Sequence, residues 1–267
     1  MRIGSACHTA PIAARRLAAS TLVCAIGLAT MPAANAQLLI KEDGQWRFGI
    51  GAGLSIASGN SDQKSLTATA DAVKATARHK WTVQGRLLRA EEEGDTTADQ
   101  LSAGVRYDRE LVRQWFHFST LDWLRDRPAN IAQRWSINSG LGYHLVKNER
   151  GFWDVFAGVG YTQDQFVNST VVEDEVRSNY GRVELLLGEQ SEHKLSESTR
   201  LRQRLSIFPN LQERGSYRAL FDTTLAVAMG RTFDLTASLN YRYNSDPGTA
   251  LSKGDLLFIT GIMVRME

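Results

Sequence analysis

The chain has 267 residues, 43% of them hydrophobic and 22% charged, with a formal net charge of only +2. That near-balance excludes the basic excess of a nucleic-acid-binding protein. Its two cysteines, Cys7 and Cys24, both fall in the opening segment, so disulfides and thiolate metal sites are excluded from everything downstream.

In chain order, the first element reads as one to be removed. Arg2, His8, Arg15 and Arg16 form a basic start without an acid, and Leu17 to Met31 is mainly apolar. Pro32-Ala33-Ala34-Asn35-Ala36 then offers the small residues of an A-x-A cleavage site, so residues 1–36 are expected to be a secretory signal peptide. A membrane anchor helix is the alternative, but the apolar stretch is shorter than the ~20 residues a bilayer requires. Val23 is too bulky for the position before Cys24 in a lipoprotein signal. After Ala36 no long apolar run follows, so the remaining domain, 37–267, is either a soluble exported protein or a membrane β-barrel.

Periodicity separates the two. Trp46, Phe48, Ile50, Ala52, Leu54 and Ile56 alternate with Arg47, Gly49, Gly51, Gly53, Ser55 and Ala57. Strand side chains alternate faces, so one face is apolar and aromatic and the other small or polar. The pattern recurs at Leu101–Tyr107, Trp135–Leu145 and Phe233–Tyr243. Twelve such segments are expected, beginning near Trp46, Lys64, Lys80, Ala98, Gln114, Gln133, Gly151, Arg177, Thr199, Tyr217, Thr232 and Asp255. Most reach ten residues, longer than soluble strands and suited to a tilted membrane strand. Pro128, Pro209 and Pro247 are assigned to connections.

Connections are expected to be short after strands two, four, six and ten. They are expected to be long after strands three (Glu91 to Thr97), five (Arg127 to Ala132), seven (Asp164 to Val176) and eleven (Ser245 to Gly254). That after strand eight, Gln190 to Ser198, breaks the scheme. Short turns on one side and longer loops on the other suit an outer-membrane barrel with both termini in the periplasm. A soluble β-sandwich or lipocalin-like barrel is the competitor. Long strands, a glycine-rich polar parity and aromatics near segment ends (Trp46, Trp81, Tyr107, Trp135, Tyr143, Tyr161, Tyr241, Tyr243) count against it. The fold expected is all-β: an antiparallel transmembrane β-barrel of about 12 strands.

Several short motifs in order carry a family resemblance: Gly59-Asn60-Ser61, Asp126 ahead of Gly140-Leu141-Gly142-Tyr143, Gly158-Val159-Gly160-Tyr161, and Asn244-Ser245-Asp246-Pro247. With them the chain resembles the salt-induced outer membrane proteins, domain of unknown function family 481. The resemblance implies a barrel in the outer membrane of a Gram-negative bacterium, and it carries over no catalytic residues. One departure is the ending, Val264-Arg265-Met266-Glu267, where barrels of this kind usually finish on an aromatic residue.

The polar parity would put many charges in one lumen: Arg47, Arg86, Arg106, Arg134, Arg182, Arg200, Arg202, Arg204 and Arg242, with Asp108, Asp154, Glu184, Asp222 and Asp234. Asp122 and His144 share that parity. Such charges either interlock as a structural network or form an anion pathway, notably through Arg200, Arg202 and Arg204. A filled or narrow lumen is expected of twelve strands.

His117 and Ser119 share one face of strand five and could serve as base and nucleophile of a lipid hydrolase or deacylase. The acids Glu91, Glu92, Glu93, Asp95 and Glu173, Asp174, Glu175 read as solvated loop tips rather than calcium loops. No metal or cofactor is expected. A structural or narrow-pore barrel of the cell envelope, used under osmotic or salt stress, leads the functional readings. A hydrolase and a surface ligand-binding or adhesion barrel are the alternatives. The partners expected are outer-membrane lipid, lipopolysaccharide and, during insertion, the barrel-assembly machinery.

Overall fold

Alternation of apolar and polar side chains produces strands in the computed structural model, which describes residues 42–57, 63–172, 174–248 and 251–266. The signal segment 1–36, Gly59-Asn60-Ser61, Glu173 and Glu267 lie outside the described residues. The strands are β1 (Trp46–Ala57), β2 (Gln63–Ala75), β3 (His79–Glu92), β4 (Asp95–Glu110), β5 (Trp115–Asp126) and β6 (Ile131–Asn148). They continue as β7 (Gly151–Val172), β8 (Glu175–Lys194), β9 (Thr199–Pro209), β10 (Tyr217–Ala228), β11 (Phe233–Asn244) and β12 (Gly254–Met266). Each pairs with its sequence neighbours, and β12 returns to β1 to close an antiparallel barrel. Closure pairs the edge strands, which an open sheet would leave bare.

The last strand closes the seam against the first. Among the described residues β1 and β12 pair over five positions, from Phe48–Met266 to Ala52–Ile262. Arg265 turns inward and meets Asp234 at 3.2 Å, which ties the end of β12 to the start of β11.

Burial follows the parity. Phe48 and Ile50 are 47% and 55% exposed, whereas Arg47 between them is 6% exposed. The outward face is apolar and bounded by two aromatic belts. One, at the end where β1 starts (here the proximal end), holds Trp46, Trp81, Tyr107, Trp115, Tyr143 and Trp153. The other, distal, holds Trp123, Trp135, Tyr161, Tyr217 and Tyr241. Rings within a belt touch across strands: Trp81 and Tyr107 lie 4.6 Å apart, and Trp115 and Tyr143 5.1 Å. Trp115 and Trp123 are eight residues apart on β5. At about 3.3 Å per residue and a tilt near 40°, that is roughly 20 Å along a membrane normal.

The connections differ from expectation. Only Glu93 and Gly94 join β3 to β4, and both have positive φ, 52° and 90°, as a tight twisted hairpin turn requires. β5 and β6 are joined by 127–130, and β7 and β8 by 173–174. The extra length expected in these loops is in the strands: β7 has 22 residues and β8 has 20. Polar alternation continues past the apolar band, and a strand ladder persists wherever two chains can pair, whether lipid or water surrounds it. β8 likewise runs to Lys194, so only 195–198 precede β9 and the irregularity expected there disappears. Asp164 lies within β7 rather than in a loop, and Pro209 is the last residue of β9 rather than part of a connection. Of the loops read as long, 245–253 remains so; 210–216 joins it on the same end.

The core sits inside the barrel. Phe116, Phe118, Phe156, Leu186 and Phe208 pack together on the inner wall, with Leu220 against them. Inward-facing glycines make room for these rings: a methyl on Gly142 would fall within the Phe116 ring, and one on Gly188 would meet Phe156. The expectation of a small or polar inner face does not hold throughout. One wall of the lumen is aromatic.

Candidate functional site: the charged lumen

Next to that aromatic wall lies a cavity of about 920 Å³. Nine of the fourteen charged residues assigned to the lumen line it: Arg86, Arg106, Arg134, Arg182, Glu184, Arg202, Arg204, Asp222 and Arg242. Arg47, Asp108, Asp154 and Asp234 are buried outside it. Arg200 is half-buried at the proximal end of β9, on the parity of Arg202 and Arg204. All fourteen face inward because a strand rotates every second side chain to the same side.

Two ion networks organise these charges. Towards the distal end Asp164 pairs with both Arg134 and Arg182, the latter at 2.9 Å. Glu184, 1% exposed, accepts from Arg182 Nε at 3.0 Å, Arg218 Nε at 2.9 Å and Thr162 Oγ1 at 2.7 Å. Burying ions is tolerated when each lone pair finds a donor, and here each carboxylate bridges two guanidiniums. Towards the proximal end Lys80 and Arg106 share Asp108, at 3.3 and 2.8 Å. There His144 joins Asp154 at 2.6 Å to Glu110 at 3.1 Å, and Lys147 reaches Glu110 at 2.8 Å.

Arg218 and Asp164 are central to the distal network, yet sequence reasoning missed both. Arg218 sits where the inner face of β10 turns apolar at Leu220, which hides the alternation. Asp164 had been assigned to a loop. A signal for it existed: its register partner is Arg134.

Among the described residues, no salt bridge joins Arg86, Arg204 or Arg242 to an acid. Arg86 reaches from β3 to Asn240 on β11, at 2.5 Å. Between them lie β2, β1 and β12; the register partner of Arg86 on β2 is Thr69, which pairs in turn with Gly51 of β1. Arg202 meets Glu192 at 3.3 Å. Ten lysines and arginines face eight aspartates and glutamates around the cavity, so its described lining carries an excess of positive charge.

Strand ends and loops border the cavity at its distal end. Asn130 is stitched to β7 by its side chain, which donates to Asn168 O at 2.8 Å and accepts from Asn168 N at 2.9 Å. Val172 at the end of β7, Pro128, Pro247 and Leu251 all border the cavity. Gly248 also lies close against Thr170 of β7, so the described parts of that loop and of the β7–β8 hairpin adjoin at this end.

His117 and Ser119 point outward. The His117 Nε2 lies 2.9 Å from Ser139 Oγ, and Ser119 Oγ lies 3.3 Å from the same Ser139 oxygen. The imidazole is thus engaged with Ser139, and Ser139 in turn donates to Phe118 O. Glu91 and Glu92 belong to β3, Asp95 to β4 and Glu175 to β8; Glu93 and Asp174 are turn residues. Among the described residues no group of three His, Cys, Asp or Glu converges on a common point.

A search of curated proteins finds no match. Among solved structures, similar chains include the translocator domain of the autotransporter NalP from Neisseria meningitidis, at 12% identity and a TM-score of 0.47, covering 83% of this chain and 88% of that one. The NanC porin is similar at 8% identity and 0.45, covering 82% and 96%. The β domain of the Bordetella autotransporter BrkA is similar at 12% and 0.38, covering 82% and 97%. Likenesses of that degree transfer no function. The family model described as "Protein of unknown function, DUF481" matches residues 50–265, and the chain belongs to that family.

Proposed function

We propose that this chain is an integral outer-membrane barrel of a Gram-negative bacterium, exported by the signal peptide 1–36, whose lumen is a narrow passage preferring small anions. The observation that carries this reading is the pairing of two surfaces: an apolar outer band between aromatic belts, and an inner cavity lined with an excess of positive charge among the described residues. A soluble barrel would gain nothing from Ile50, Ile137 and Val159 at 55–58% exposure. In a bilayer the same residues face lipid. The proximal end then faces the periplasm, lipid and lipopolysaccharide surround the band, and the barrel-assembly machinery inserts it. Use under osmotic or salt stress belongs to the same proposal.

Planar-bilayer recording of the purified protein tests the passage. Small, anion-selective steps are expected, because an aromatic wall narrows the path and the lining carries an excess of positive charge. A silent membrane after verified insertion would leave a structural barrel only. We assign no hydrolytic role to His117 and Ser119, whose side chains both lean on Ser139. Lipid hydrolysis that disappears in Ser119→Ala would reverse that assignment.

A further inference from the structure

The seam between the first and last strands is paired over only part of its length. Its register ends at Ala52–Ile262. Distal to that pair β1 continues to Ala57 and β12 starts as early as Gly254, and each keeps its ladder to its other neighbour, β2 or β11. Among the described residues no register pair joins β1 to β12 along that stretch. The stretch lies inside the apolar band, because Leu256 stands opposite Tyr241 of the distal belt and the edge runs from there towards the middle. Lipid offers no hydrogen bonds, so a bare strand edge persists at that depth only where it borders a polar or water-filled space. β12 also departs from alternation here. Leu256, Leu257, Phe258 and Ile259 are consecutive, so Leu256 and Phe258 face out while Leu257 and Ile259 face in. Leu256 and Phe258 are 65% and 64% exposed, more than Ile50, Ile137 or Val159 elsewhere on the band, and Ile259 is buried. Leu256 from the outer face and Leu257 from the inner face border the same lumen cavity. An apolar surface therefore runs around the unpaired edge of β12, from the lipid side to the lumen. Behind it the charges are mixed. Arg242 stands opposite Asp255, and Arg86 holds Asn240, the register partner of Leu257.

We propose that this distal half of the β1–β12 seam is a lateral portal for a single-chain amphiphile with an anionic head, such as a long-chain carboxylate. The chain lies against Phe258 on the lipid side and against Leu257 and Ile259 on the lumen side, where apolar contact keeps it out of water. The head stays in the cavity, whose described lining carries an excess of positive charge that favours an anion. The portal rests on the reading of the chain as an outer-membrane barrel, and it gives the lumen a sideways exit into lipid.

Photo-crosslinking of the full chain in phosphatidylcholine vesicles tests the portal. The probes carry a diazirine at mid-chain: a hexadecanoate, a hexadecylamine and a phosphatidylcholine with the same tail. Hexadecanoate should label the inward Leu257 and Ile259 at least tenfold more than the phosphatidylcholine does, since bulk lipid meets only the outward Leu256 and Phe258. The amine should label them at least threefold less than hexadecanoate. Gly53 and Gly261 come next in register beyond Ala52–Ile262, and the chain from Gln37 onward has no cysteine. A disulfide between Gly53→Cys and Gly261→Cys should cut inner labelling at least tenfold, and reduction should restore it. Leu257→Asn with Ile259→Asn removes the apolar inner surface without any cross-link and should cut labelling at those two positions as much. Heat-modifiable gel migration checks that both variants fold. No inner labelling in the wild type, equal inner labelling by the amine or the phosphatidylcholine, or unchanged labelling in the folded variants would each overturn the portal. A disulfide that forms between two copies instead would give the edge to a second copy, and would also overturn it. Bilayer recording separates the two readings. Anion-selective current without inner labelling leaves the passage and removes the portal. Inner labelling in a chain that never conducts supports the portal while the passage fails.

Discussion

At the scale of single residues, Glu184 carries the most consequence. Its two oxygens serve Arg182, Arg218 and Thr162. Removing it in Glu184→Ala strips the buried Arg218 of its carboxylate and leaves Arg182 with Asp164 alone, a loss of about 3–5 kcal/mol. Glu184→Gln keeps one acceptor oxygen and should cost about 1–3 kcal/mol. Denaturant unfolding of both variants in vesicles measures the ordering. Gly142 shows the opposite sensitivity, to addition rather than loss. A methyl there collides with the Phe116 ring, so Gly142→Ala should destabilise by about 1–3 kcal/mol through overpacking. Asp43, ahead of β1 and outside the band, titrates in an informative direction. Its hydrogen bonds to the Arg47 guanidinium, with a second from the Gln45 amide, hold its carboxyl down at about 2. Because the folded value is depressed, the contact persists through the ordinary carboxylate range and is lost only as pH falls through about 2. An NMR titration of the Asp43 carboxyl should show that midpoint; one near 4 would mean the contact does not form in solution.

Among the elements, the β7–β8 hairpin separates span from superstructure. β6 follows β7 only as far as Phe166, and beyond it β7 and β8 pair with each other. The ladder needed to close the barrel is complete below that point. Replacing residues 168–176 by a two-residue Asn-Gly turn should therefore change stability by less than about 1 kcal/mol. It should also remove part of the distal border of the cavity and raise single-channel conductance. Heat-modifiable gel migration and bilayer recording read the two effects independently. Segment starts were legible because alternation is a local signal. The twelve observed strands begin within three residues of where the pattern placed them. Strand ends were not, since residues such as Thr170 and Val171 pair by hairpin extension, and Val171 and Val172 put apolar side chains on both faces, which breaks the alternation.

For the whole molecule, the outward band sets the stability. Ala157 faces outward on β7, midway between Trp153 in one belt and Tyr161 in the other. Ala157→Arg should cost about 2–4 kcal/mol in vesicles, the depth-dependent penalty of a charge at the bilayer midplane. The same substitution at a watery surface would be nearly neutral, so unfolding in vesicles distinguishes lipid from water around this band.

The period-two pattern by itself determined the strand count and most of the charges that face inward, because both follow from which side of a strand each residue takes; Arg218 and Asp164 escaped it. The lumen was less legible. That Arg86 reaches Asn240, that Arg134 and Arg182 share Asp164, and that Phe118 and Phe156 flank Arg106 are contacts between residues far apart in the chain. Alternation tells a side chain in from out. Only closing the barrel, which fixes register and curvature together, decides whom it meets inside.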